Sequence, residues 1–283
     1  MNPGEKVRNS NHINIVISDL DGTLLDSSSN IRKDDIQILH QLQQRGIYTV
    51  IATGRSFFSL KKVLPMDFPL DYLIFSCGAG IMEWKSKKII FSSQMSSQQV
   101  AEVGHKLISM DLDFMVQYPI PENHKFCFYH TGRENPDFFN RIKLYQEFAE
   151  PISDNLEEFG PASQIIVITS DGEHTVSKIK KNIEQICVIR TTSPLDHKTH
   201  WIELLSPGIS KAYAAQWLCN RLGVSELQSL AVGNDYNDLN LLKWANISFV
   251  MENAPEEIKN NFTVTKSNDK SGFSKAVKQI VKM

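Results

Sequence analysis

The sequence predicts an α/β protein, a doubly wound, Rossmann-like parallel sheet interrupted by an inserted α+β module. Three observations predict it. Short β-branched runs alternate with helical patterns toward both ends of the chain. The middle stretch instead places strands in sequential pairs. Polar clusters recur where the outer apolar runs end.

Residues 13–17, "INIVI", are almost wholly apolar, as in a strand buried on both faces of a parallel sheet. "RKDDIQILHQLQQRG" follows, with Ile36, Leu39 and Leu42 at three-residue spacing and Gly46 as a C-terminal stop. "IYTVIATGR" is a second strand, "SFFSLKKVL" a short helix and "DYLIFS" a third strand. The middle supplies strands at "EWKSKKIIF", "DFMVQY", "KFCFYH", "QIIVIT", "CVIRTT" and "HWIELL". It also supplies helices near 97–110, 136–149 and 174–186, the last with Val176, Ile179, Ile183 and Ile186 on one stripe. "SSQMSSQQ", residues 92–99, reads as a loop with a helix N-cap. The outer pattern then returns: "KAYAAQWLCNRLG" is a helix and "SLAVG" a strand. "DLNLLKWA" is a helix with Leu239, Leu242 and Ala245 at core spacing, "ISFVM" a strand and "GFSKAVKQIV" a closing helix. The expected division is a core of residues 1–82 and 207–283 around an insertion at 83–206, with no internal repeat.

The 283 residues suffice for one large domain or two ordinary ones. Hydrophobic and charged fractions of 41% and 22% place the chain among ordinary soluble globular proteins. A net charge of −2 gives no broad footprint for nucleic acid. The polar start, "MNPGEKVRNSNHIN", shows no signal peptide, and no apolar run approaches a bilayer span. Cys77, Cys127, Cys187 and Cys219 are far apart and form no C-x-x-C pair. Free thiols, a reducing cytoplasm and no membrane partner are expected.

The stretch "VISDLDGTLLD" carries Asp19 and Asp21 just past the first strand. Asp-Gly between apolar runs is a hairpin signal. The rival reading is a reactive pair, because ligands of open α/β sheets bind beyond the carboxyl ends of the strands. Two carboxylates facing one small volume repel each other, so one holds a proton or a divalent cation joins them. The glycine spacing excludes a calcium-binding EF loop, and no P-loop pattern is present. "ATGR" puts Thr53, Gly54 and Arg55 at a second strand end. Lys211 follows "SPGIS" in the first turn of a helix, where it opposes the helix dipole and a nearby anion would explain it. "GNDYND", residues 233–238, adds Asn234, Asp235, Asn237 and Asp238 after another strand. Singly, these read as a helix cap, a surface lysine and an acidic turn; together they point to one site. His197 and His200 form no metal site by themselves. "GAG" at 78–80 is a poor dinucleotide cue, since Glu83 stands where a third glycine belongs. Phe126, Phe128, Phe138 and Phe139 read as core.

The order D-x-D-G-T, T-G-R, a lone lysine and an acid cluster resembles the haloacid dehalogenase (HAD) superfamily. The insertion looks like the large α/β cap of its Cof-type phosphatases, and the tail "ENAPEEIKNNFTVTKSNDKSGFSKAV" is similar to theirs. The resemblance implies Asp19 as nucleophile, Asp21 as general acid–base, Thr53 as a phosphoryl ligand and Lys211 as charge partner. It also implies Gly22, Gly54, Arg55 and Asn237 beside the substrate. Mg²⁺ would bind Asp19, the Asp21 carbonyl and the acid cluster. Two departures stand out. Asn234 occupies the place of the usual first Asp of G-D-x-x-N-D. Either Asn234 ligates and Asp235 or Asp238 supplies charge, or Asp235 takes over. The first is favoured, with Asp238 also pairing with Lys211 or a metal-bound water. Cys77 stands where relatives have asparagine, so the resemblance implies a missing substrate or cap contact there. The expected activity is Mg²⁺-dependent hydrolysis of small phosphorylated metabolites, sugar phosphates foremost. The alternatives are a phosphosugar mutase and a non-catalytic phospholigand-binding protein.

Overall fold

A computed structural model describes residues 12–152 and 156–282. The opening stretch, on which a missing signal peptide was read, lies mostly outside these residues. The chain runs through β1 (Ile15–Ser18), α1 (Lys33–Gln44), β2 (Tyr48–Ala52), α2 (Phe57–Leu60), β3 (Tyr72–Phe75), β4 (Gly80–Glu83) and β5 (Lys88–Ser92). It continues through α3 (Ser97–Ser109), β6 (Phe114–Gln117), β7 (Phe126–Tyr129), α4 (Pro136–Leu144), β8 (Ala149–Pro151), β9 (Gln164–Thr169), α5 (Gly172–Asn182), β10 (Cys187–Thr192) and β11 (His200–Leu205). The last part holds α6 (Lys211–Leu222), β12 (Ser229–Gly233), α7 (Leu239–Trp244), β13 (Ile247–Met251), α8 (Glu256–Lys259), β14 (Thr263–Thr265) and α9 (Gly272–Ile280).

The described residues form two sheets. The first has the order β14-β13-β12-β1-β2-β3-β4-β5. It is parallel from β14 to β3, and β4 and β5 add an antiparallel edge. β1 is buried along its whole length, as its apolar run requires. On one face Ile38, Leu39 and Leu42 of α1 pack with Phe273, Ala276 and Val277 of α9. On the other, Ile15, Ile17 and Val50 meet Ala214, Ala215 and Leu218 of α6. Helices on both faces make the sheet doubly wound. The chain leaves β1 toward β2 on one side and returns to β12 on the other, so a crevice opens beyond β1 and β12.

The second sheet has the order β10-β11-β9-β6-β7-β8. Val100, Val103 and Leu107 of α3 and Ile179 of α5 cover one face. Phe138 of α4 packs on the other with Phe126, Ile166 and Trp201.

Several local expectations change. "EWKSKKIIF" is no single strand: β4 and β5 form a hairpin that turns at 84–87 and extends the first sheet. Its KIIF segment therefore pairs with the core although it falls in the stretch 83–206. The helix expected over 136–149 stops at Leu144, and 149–151 pairs with β7 instead. α5 ends at Asn182, with Ile183 extended, yet Val176, Ile179, Ile183 and Ile186 still pack in one cluster. Phe139 is 43% exposed, so it is no core residue, whereas Phe126 and Phe138 are fully buried. Ser96 caps α3 in a reciprocal box with Gln99. All four cysteines are free thiols. No helix among the described residues is long and apolar enough to cross a membrane.

Candidate active site

The ends of β1, β2 and β12 meet in the crevice. The Asp19 amide donates to the Val232 carbonyl at 2.9 Å, and the Thr53 amide donates to the Ile74 carbonyl at 2.9 Å. These ladder bonds fix where each strand stops and its polar residue begins. Asp19, Thr53, Lys211 and Asp238 are all buried.

Lys211 is the first residue of α6, capped by Ser210. Its side chain is wholly buried, with Nζ 2.6 Å from Asp19 Oδ1 and 2.7 Å from Asp238 Oδ1. The surface-lysine reading fails, and the anions that offset its place at a helix start are these two carboxylates. Burial alone would lower the Lys211 pKa; Asp19 and Asp238 outweigh it and raise it above the usual lysine value. Burial, with Asp238 beside it, pushes Asp19 up to about 8 despite the lysine. The group is thus two carboxylates sharing one cation, short of one positive charge.

Gly78 helps set this arrangement. Its φ is +101°, and a Cβ there would fall 2.3 Å from the Ser210 carbonyl oxygen, so the 76–78 loop presses on the start of α6. Gly22, at φ +73°, lies equally close to the other wall: a Cβ would fall 2.5 Å from the Asn234 amide.

Asn234 faces Asp19 Oδ2 at 3.2 Å, the Asp21 carbonyl at 2.9 Å and Thr23 Oγ1 at 3.0 Å. With the amide nitrogen turned inward it donates to all three. With its oxygen inward it accepts from Thr23 Oγ1 at 3.0 Å, and the oxygens of Asp19, Asp21 and Asn234 meet, a conflict that a proton on Asp19 or a bound cation relieves. One carboxylate, one backbone carbonyl and one amide oxygen are hard donors of the kind Mg²⁺ takes. The donor set therefore fits Mg²⁺, with one carboxylate fewer than the family pattern supplies. Among the described residues, no group of three His, Cys, Asp or Glu side chains is arranged to hold a metal.

Asp235 requires a correction. Both its oxygens are engaged outside the crevice: Oδ2 accepts from Thr191 Oγ1 and the Thr192 amide, each at 2.8 Å, and Oδ1 accepts from Thr192 Oγ1 at 3.1 Å. It fastens the second sheet and does not face Asp19. Asp238 accepts from Lys211 and, through Oδ2, from the Asn234 and Asp235 amides at 2.8 and 3.1 Å. It holds the lysine and its own loop.

Asp21 is gripped by Arg55, with Nε 2.8 Å from Oδ2 and Nη2 2.7 Å from Oδ1. Arg55, expected beside the substrate, thus holds the second aspartate. Thr53 Oγ1 accepts from the Arg55 amide at 3.1 Å, while Ser56 caps α2. Asn237 Oδ1 lies 3.4 Å from Lys211 Nζ. A Cβ on Gly54 would lie 3.4 Å from both Cys77 Sγ and Glu203 Oε1.

Glu203 is the residue that sequence reasoning missed. It sits in β11, buried, and accepts from the Cys77 thiol across the two sheets. Burial raises its pKa, against the Cys77 hydrogen bond and the Lys211 and Arg141 charges. Cys77, where a missing contact was expected, therefore makes a contact to the inserted sheet. The available signal was a lone acid inside the apolar run "HWIELL". His197 and His200 take no part in the crevice contacts described.

The sequence matches the haloacid dehalogenase-like hydrolases over residues 16–277. The chain belongs to this family. Among curated relatives, the 5-amino-6-(5-phospho-D-ribitylamino)uracil phosphatase YwtE of Bacillus subtilis is 25% identical over 281 residues, covering 93% of this chain and 96% of the relative. The stress response protein YhaX of the same organism is 25% identical over 279 residues, covering 93% and 92%. Among solved structures, the phosphatase BT1666 of the HAD superfamily from Bacteroides thetaiotaomicron superposes with a TM-score of 0.78 at 24% identity, covering 99% of each chain. The HAD subclass IIB sugar phosphatase BT4131 superposes with a TM-score of 0.75 at 19% identity, covering 94% of this chain and 99% of its own. At these identities the superpositions speak for the fold of this HAD-like hydrolase.

Proposed function

We propose that this HAD-like hydrolase is a phosphatase of small phosphorylated metabolites, sugar phosphates foremost, and that it works through a phosphoryl group carried on Asp19. The observation that carries the reading is the buried Asp19–Lys211–Asp238 group beside Thr53 and Asp21. An acyl phosphate splits one hard displacement into two easier ones.

In the first step the Asp19 carboxylate bonds to phosphorus and the ester P–O bond breaks. The leaving oxygen takes a proton from the Asp21 carboxyl. In the second, the Asp21 carboxylate takes a proton from water as its oxygen bonds to phosphorus. The acyl P–O bond breaks, giving inorganic phosphate and free Asp19. General acid–base help of this kind is worth about 10²–10⁴-fold. Arg55 keeps Asp21 aimed at the crevice. Lys211 offsets charge on Asp19, and Thr53 is placed to donate to a phosphoryl oxygen. Asp19, the Asp21 carbonyl and the Asn234 amide oxygen would hold Mg²⁺, which when bound offsets charge on the phosphoryl group. The second sheet and its helices act as a cap over the crevice, fastened through Asp235, and exclude water during the first step.

The experiment is direct. Purified protein releases phosphate from p-nitrophenyl phosphate and from hexose phosphates with Mg²⁺. It loses this activity with EDTA, and loses it in Asp19→Asn. Full activity in EDTA, or in Asp19→Asn, overturns the reading.

A further inference from the structure

One face of the second sheet looks onto the loop Thr53–Arg55, and polar side chains on it lack partners. Gln117 of β6 stands opposite Gln164 of β9, and Glu203 of β11 stands opposite Ile166, one row along. These side chains share the face of Ile166 and Trp201, away from α3 and α5. Gln117, Gln164 and Glu203 are 1%, 4% and 3% exposed. Arg141 of α4 reaches the same place: one terminal nitrogen lies 3.4 Å from Gln117 Oε1, and its guanidinium lies 4.3 Å from the Trp201 ring centre.

The atoms without partners are Glu203 Oε2, Gln117 Nε2, Gln164 Oε1 and Arg141 Nε. Buried polar atoms in native proteins are nearly always hydrogen-bonded, so four exceptions on one face call for a partner. Their types are complementary, two acceptors and two donors. On the core side, Glu203 Oε1 reaches within 3.4 Å of the space a side chain on Gly54 would fill, next to Thr53. The cluster therefore lies where the group attached to the transferring phosphate would rest. Arg141 and Glu203 also sense each other's charge, so the cluster is close to neutral as a whole.

We propose that Glu203, Arg141, Gln117 and Gln164 form the leaving-group subsite, and that it takes an uncharged polyhydroxylated group such as a sugar or sugar alcohol. This rests on the phosphatase reading. A hydroxyl donates to Glu203 or Gln164 and accepts from Arg141 or Gln117, and the Trp201–Arg141 stack fixes the guanidinium plane. Because Glu203 matches the Arg141 charge, the cluster has no net positive charge to offset a second anionic group, which disfavours bisphosphates and other anionic leaving groups on desolvation.

The test compares kcat/KM across leaving groups for the full chain and for Glu203→Gln and Gln117→Met, each checked for a wild-type melting profile. The panel holds hexose and alditol phosphates, 3-phosphoglycerate, fructose 1,6-bisphosphate and p-nitrophenyl phosphate. Wild type favours the neutral polyol esters over the two anionic ones by ~10-fold or more. In Glu203→Gln the ratio of kcat/KM for the best polyol ester over p-nitrophenyl phosphate falls ~10–100-fold, the worth of a hydrogen bond to a charged group. Gln117→Met lowers the same ratio to a smaller degree and carries the test if Glu203→Gln does not fold. An unchanged ratio in both variants, or a wild-type preference for the anionic esters, overturns the subsite. If wild type hydrolyses nothing in the panel, the phosphatase reading fails on its own. The subsite is then judged by calorimetric binding of a hexose phosphate: ~10-fold weakening in Glu203→Gln supports it, and equal affinity overturns it.

Discussion

Arg55 closes its guanidinium on the Asp21 carboxylate, with Nε 2.8 Å from one oxygen and Nη2 2.7 Å from the other. A two-point grip fixes the carboxylate plane in a way a lysine cannot. The pair is part exposed, so its worth lies in aim more than in stability. Arg55→Lys should therefore lower kcat ~10-fold or more for alkyl phosphates, whose leaving oxygen needs a proton. The loss should be smaller for p-nitrophenyl phosphate, whose leaving group departs as the anion. Steady-state kinetics on both esters checks this, and equal losses would count against Asp21 as the acid.

Asp235 should be a cap fastener and no metal ligand. Asp235→Ala removes the acceptor for Thr191 and Thr192 and should speed hydrogen exchange at the β10 amides, Thr192 first. Cation affinity measured by calorimetry should stay within ~2-fold, since no ligand charge is lost. A large fall in affinity would return Asp235 to the metal.

Asn234→Asp should tighten Mg²⁺ binding by ~10-fold or more, because added carboxylate charge is a main lever on affinity for hard cations. Titration of thermal stability against Mg²⁺ gives a readout independent of turnover. Unchanged affinity would mean that residue 234 does not face the cation.

A pH effect follows from Asp19. Its carboxyl rises from 3.8 unfolded to about 8 folded, through burial first and Asp238 second. Between those values the folded chain holds more protons than the unfolded chain, so this group's stabilising share is full below about 4 and is lost as pH rises toward 8. In EDTA, the melting temperature of Asp19→Asn minus that of wild type should grow from pH 5 to pH 8, reaching ~4 °C or more. A difference that stays flat with pH would show that Asp19 carries no raised pKa.

Much of this was legible in the sequence. The strands before Asp19 and Thr53 are short β-branched runs with no competing period, so their ends and polar residues could be placed. Lys211 was legible because a lysine at a helix start contradicts the helix dipole. What failed depended on partners distant in sequence. Asp235 is one residue from Asn234 and chemically a good ligand; only the position of β10 shows that it binds Thr191 and Thr192. Glu203 lies 126 residues from Cys77, and an acid in a strand does not declare what faces it. Arg55 was placed beside the substrate by its motif, while the direction of its side chain is set by Asp21. The β4–β5 hairpin read as one strand of the insertion because a short apolar run such as "KIIF" does not say which sheet it joins.

The central claim is that Asp19 carries the phosphoryl group. The most direct test is rapid quenching in acid after mixing enzyme, Mg²⁺ and a ³²P-labelled hexose phosphate, followed by peptide mapping. The prediction is label on the peptide holding Asp19, lost on chase with unlabelled ester and absent in Asp19→Asn. Turnover with no label on that peptide, or label that persists in Asp19→Asn, would contradict the account.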